Sequence, residues 1–145
     1  MAEQLYFEDV KKGMNIPQLI KKTSSRQLVE YAGASRDFHE IHYDHEIARK
    51  AGFPGVIIHG CLKTAFLCQM ITDWIGEQSV IKKMSVKYLA IDSYGETLTC
   101  RGNVIDVYKN NGDHCVDCEV WTDNSDGQRT TIAKVTITLP SNGSA

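Results

Sequence analysis

The chain has 145 residues, 42% of them hydrophobic and 23% charged, which suits one compact globular domain whose core needs no disulfide or metal. Its formal net charge of −2 excludes the basic excess that nucleic-acid or membrane-surface binding demands. Five cysteines, an odd number, follow an acidic start (Met1 to Asp9) with no apolar leader, so free thiols in a reducing cytoplasm are expected, and no apolar run is long enough to span a membrane.

The single domain is expected to occupy residues 1–145, with 141–145 a flexible tail after Pro140. Ser24 or Ser25 caps a first short helix through Leu28, Val29 and Tyr31, ending near Gly33. An irregular stretch, Ser35 to Tyr43, follows. Asp44 caps a second helix with Ile47, Ala48 and Ala51 on one side and Gly52 as its stop. The most apolar segment, Ile57 to Ile75, closes at Gly76. Its Leu62, Ala65, Phe66, Leu67, Met70, Ile71, Trp74 and Ile75 occupy so much of the circumference that a helix buried on most sides is predicted. Cys61 and Cys68 are then core residues.

The period changes in the second half. Val80–Ile91, Thr97–Tyr108, Cys115–Thr122 and Thr130–Leu139 are rich in Val, Ile, Thr and Tyr, and turn signals separate them. Asn110-Asn111-Gly112-Asp113 and Asn124-Ser125-Asp126-Gly127 read as hairpin connections within an antiparallel meander. A fifth strand is expected at Gln18 to Thr23. One buried helix beside such a sheet is an α+β, two-layer arrangement in which the sheet curls around the helix. Its open edges predict a dimer.

The densest chemistry lies between Asp37 and His45, where His39, His42 and His45 alternate with Asp37, Glu40 and Asp44. A carboxylate and an imidazole about one water apart can remove a proton from water and return one to carbon near neutral pH. Asp37 and His42, joined by irregular chain, are the candidate pair; a capping carboxylate and a solvated histidine are the plain alternative. His59-Gly60 opens the apolar helix. Backbone N–H groups there can hold a developing oxyanion, and glycine lets a ligand approach the backbone closely. The role of His59 is open.

Taken together, Asp37-Phe38-His39-Glu40-Ile41-His42 and Ile57-Ile58-His59-Gly60-Cys61-Leu62 resemble the hydratase motif of MaoC-like (R)-specific enoyl-CoA hydratases and dehydratases, proteins of hot-dog fold. In that family Gly-Asp-x-Asn-Pro-x-His precedes a His-Gly helix start. The resemblance implies an antiparallel sheet wrapped around a long central helix. It implies Asp37 and His42 as the catalytic pair, Gly60 as the oxyanion-binding amide, an acyl-CoA or acyl-carrier-protein thioester as substrate, no cofactor and no metal. Arg36, His39 and Glu40 stand where the family has Gly, Asn and Pro. Ser35-Arg36-Asp37-Phe38 and Thr72-Asp73-Trp74 are also similar to the small MaoC-like subunits of steroid side-chain degradation, which adds a heteromer to the expected homodimer.

Other patterns carry less. Asp37, His39, His42, His45 and His59 offer metal-ligand types, but no helical i, i+4 histidine pair fixes a geometry. Cys115 and Cys118, three apart in a strand, face opposite sides and cannot pair. Lys82, Lys83 and Lys87 could meet the phosphates of CoA, but read more simply as a solvated strand edge. Two further functions compete with a hydro-lyase: a non-catalytic or partner-dependent subunit of a heteromeric acyl-CoA hydratase, and an acyl-CoA thioesterase on the same fold.

Overall fold

The computed structural model describes residues 3–143. Ser24 caps α1, Ser25–Ser35, by accepting a hydrogen bond from Gln27 N–H. Asp44 caps α2, His45–Lys50, by accepting from Glu46 and Ile47. Of the three apolar residues expected to share a face of this second helix, only Ala48 is buried. The long helix α3 spans Gly60–Ile75, and the residues just before it, Val56 to His59, form a buried extended lead-in.

The five strands are β1 (Asn15–Lys22), β2 (Val80–Tyr88), β3 (Thr97–Asn110), β4 (Asp113–Asp123) and β5 (Arg129–Thr138). They form one antiparallel sheet in the order β1-β3-β4-β5-β2. The β3-β4-β5 meander is as expected. Its first hairpin turns on Asn111 at φ 50° and Gly112 at φ 87°, the two consecutive positive values of a tight hairpin turn. The strand β2 is different. It leaves the end of α3 and crosses to the far edge to pair with β5. Strand pattern specifies a face and a period but no neighbour, so that crossover is set by where the helix delivers the chain.

Leu62, Phe66, Leu67, Met70, Ile71 and Ile75 of α3 pack against the inward residues of the sheet, among them Leu98, Val104, Val116, Val120, Val135 and Ile137. Each fully buried aliphatic side chain contributes roughly 1.5–3 kcal/mol. The opposite stripe of α3 departs from expectation, because Cys61, Ala65, Gln69, Thr72 and Asp73 are exposed. Cys61 is therefore a surface thiol and Cys68 only partly buried. Cys100 and Cys118 do lie in the core, where burial pushes their thiols to about 12.

All five cysteines are free. Lys82 and Lys83 lie on the β2 edge, where Lys82 pairs with Asp113 at 3.4 Å. In the expected tail, Ser141 Oγ and Asn142 N–H donate to the Glu8 carboxylate, while Ser144 and Ala145 lie outside the described residues. Among the described residues no helix is long and apolar enough to cross a membrane.

Candidate active site

The first helix stops abruptly. Arg36 takes the left-handed conformation, φ 61° and ψ 22°, and turns the chain out of α1. Ser35 Oγ donates to Tyr31 C=O and accepts from Asp37 N–H, while Asp37 Oδ1 accepts weakly from His39 N–H at 3.4 Å. With that oxygen Asp37 closes an Asx-type turn onto the residue two places on. A single 3-10 turn over Glu40–His42 then carries His42 inward, to 8% exposure.

Two hydrogen bonds stitch this turn to the lead-in of α3. Ile57 N–H donates to Ile41 C=O at 3.1 Å, and His42 Nδ1 lies 2.9 Å from Ile57 C=O. A carbonyl only accepts, so Nδ1 carries the proton in neutral His42. Its Nε2 is then an unprotonated base, facing Asp37 Oδ2 at 3.8 Å. That separation is long for a direct hydrogen bond and leaves both atoms turned toward the same space.

His59 is the N-cap residue of α3 and is 1% exposed. Its ring stacks on His42, with centroids 3.8 Å apart and planes within 20°, and meets Tyr31 edge-on at 4.8 Å. Burial above all, and then the charge of His42, holds the His59 ring below the usual histidine range. Gly60 and Cys61 follow in the first turn, where backbone N–H groups have no partner within the helix. The Tyr88 ring lies against Gly60, where an added Cβ would come within 3.1 Å of it, and the Tyr88 hydroxyl bonds Thr64 Oγ1 at 2.7 Å.

Asp37, His42, His59 and Gly60 therefore converge, although the first two and the last two come from separate segments. His39 stays exposed, its ring 6.2 Å from that of His42. His45 is elsewhere: its Nδ1 accepts from Val56 N–H and its ring meets Tyr94. Asp37, His42 and His59 present ligand atoms within 4.8 Å of one another. However, the lone pairs of stacked, nearly parallel imidazoles run side by side in separate planes. Those two rings as placed do not converge on one metal ion.

Lys63 and Asp92 escaped sequence reasoning. Lys63, 2% exposed, donates to Asp92 Oδ2 and to Ala90 C=O, both at 2.9 Å, and Asp92 C=O accepts from Ile58 N–H. This buried ion pair ties the first turn of α3 and its lead-in to the loop after β2. The signal was present: a lysine in the most apolar segment of the chain needs a buried partner.

A family model for the MaoC like domain matches residues 10–128, which include every residue of this site. The chain belongs to that family. Among relatives of this MaoC-like chain is an (R)-specific enoyl-CoA hydratase of Rhodospirillum rubrum, 30% identical over 95 residues. That match covers 65% of each protein, so it spans just under two thirds of the relative's length. The R-hydratase PhaJ1 of Pseudomonas aeruginosa superposes with a TM-score of 0.88 at 19% identity, over 97% of this chain and 89% of that one. A chain of the ChsH1-ChsH2 complex of Mycobacterium tuberculosis gives 0.81 at 23% identity, over 89% and 98%. These likenesses establish the hot-dog arrangement of sheet and helix for the MaoC-like chain.

Proposed function

We propose that the protein is an (R)-specific enoyl-thioester hydratase, equally a 3-hydroxyacyl-thioester dehydratase, with Asp37 and His42 as its acid/base pair. The single observation that carries this reading is the buried His42, its Nε2 facing Asp37, stitched directly to the lead-in of a helix start at Gly60 that has no side-chain cap among the described residues. The named activity of the R. rubrum relative supports the same chemistry.

In the hydration direction, His42 Nε2 takes one proton of a water that Asp37 helps to orient. The water oxygen bonds to the β-carbon, and the π electrons of the double bond move toward the thioester carbonyl. The resulting enolate oxygen sits against the Gly60 N–H, where the helix dipole favours negative charge. The His42 imidazolium then gives its proton to the α-carbon, so one water is added and the site is restored. Acyl-CoA or acyl carrier protein thioesters are the substrate class, and no cofactor takes part.

Hydration is followed spectrophotometrically across enoyl-CoA chain lengths, with a bulky polycyclic acyl group included. Asp37→Asn and His42→Ala are each expected to lower turnover on the order of 100-fold or more with folding intact. Near wild-type hydration by either variant overturns the assignment. The likeness to a chain of the ChsH1-ChsH2 complex supports a second reading, a subunit active only beside another MaoC-like chain. In that case the purified chain alone is inactive and activity returns with the partner.

A further inference from the structure

His59 is the largest unexplained polar group of the site. Both of its ring nitrogens are buried, and among the described residues neither has a hydrogen-bond partner. Such a group costs roughly 1–3 kcal/mol unless something else satisfies it. The Asp37 main chain approaches the ring and weakly favours its charged form, but it makes no proper hydrogen bond with it. An apolar ring would fill the same slot between His42 and Tyr31 without that cost. Packing therefore accounts for a ring at position 59, but not for its nitrogens.

The positions of the neighbours suggest what the nitrogens meet. One ligand atom from each of Asp37, His42 and His59 lies within 4.8 Å of the other two. Three points so spaced all lie within about 2.8 Å of a common centre, the length of a hydrogen bond to a water oxygen. The two stacked rings do not share a metal ion as placed, but a water at hydrogen-bond distance, about 2.8 Å, lies at a smaller angle out of each ring plane than a metal at about 2.1 Å would.

We propose that His59 is a third residue gripping the reacting water, which it holds together with Asp37 and His42; this rests on the hydratase reading above. The valences of water then close. One O–H points to His42 Nε2 and is the bond that breaks. The other points to the Asp37 carboxylate and stays with the product hydroxyl. One oxygen lone pair accepts the N–H of neutral His59, and the second is left to form the bond to the β-carbon. An uncharged His59 suits this task, since an imidazolium stacked on His42 would oppose the proton that His42 must accept.

The test uses His59→Phe, which keeps a ring in the stack and removes both nitrogens, beside His59→Gln, which restores a donor. With an enoyl-CoA that the wild-type protein hydrates as substrate, His59→Phe is expected to lose about tenfold or more in kcat with KM within about threefold. His59→Gln is expected to recover part of that loss. Full kcat in His59→Phe overturns the proposal while leaving the hydratase reading intact. A loss in both variants that tracks a loss of native near-UV circular dichroism also overturns it, in favour of a structural role. Wild-type protein that hydrates no enoyl thioester, alone or with a partner chain, removes the hydratase reading and this proposal together. Ring 15N shifts in folded wild-type protein need no variant: a neutral His59 at pH 7 is expected, and an imidazolium overturns the assignment.

Discussion

Arg36 occupies a backbone conformation in which a Cβ crowds the following carbonyl, at a cost of roughly 1–2 kcal/mol. Its side chain is exposed. Glycine loses part of that advantage through its freer unfolded chain, so Arg36→Gly is expected to stabilise the protein by about 0.5–1 kcal/mol in a urea titration. This explains the family's glycine at the position physically: the turn out of α1 needs φ > 0, whatever residue provides it. The convergence of Asp37, His42 and Gly60 was legible in the sequence because their chemical types recur in a motif. His59 was visible as a letter but not as a role, since only the fold shows that its ring stacks on His42 and that its nitrogens are orphaned.

At the scale of elements, caps and turns were legible because they depend on neighbours in sequence. Ser24, Asp44 and the Asn111-Gly112 turn each act within a few residues. The β2 crossover and the Lys63–Asp92 pair were not, because both join segments far apart in the chain. The ion pair makes a sharp prediction. Lys63→Met leaves a buried carboxylate without its partner and is expected to cost about 3–5 kcal/mol, whereas Lys63→Met with Asp92→Asn is expected to cost distinctly less. Equal losses in the single and double variants, measured by chemical denaturation, would show that the charge at position 92 is compensated by something other than Lys63.

For the whole molecule, an apolar composition profile cannot separate surface meant for the core from surface meant for another partner. That is why α3 was expected to be buried nearly all round and yet shows an exposed stripe from Cys61 to Asp73. Among the described residues the sheet also ends in two unpaired edges, β1 and β2, and Tyr88, Leu89 and Ile91 are exposed. Edges and apolar surface of this kind favour association. Sedimentation at micromolar concentration is expected to give about twice the 16.2 kDa chain mass. A chain that stays at 16.2 kDa as its concentration is raised points instead to a different partner.

The two hydrogen bonds that join Ile41 and His42 to Ile57 bear on how this chain can be altered. They fix His42 relative to the start of α3 locally, at the neck of an excursion that runs out through α2 and back. The chain between them closes a loop whose ends are already held, and lengthening such a loop raises its closure entropy only slowly. The exposed outer part of the excursion, about Arg49 to Gly52, can thus take up changes of length or sequence while His42 and Gly60 keep their spacing. A binding specificity grafted there would be engineered independently of the chemistry.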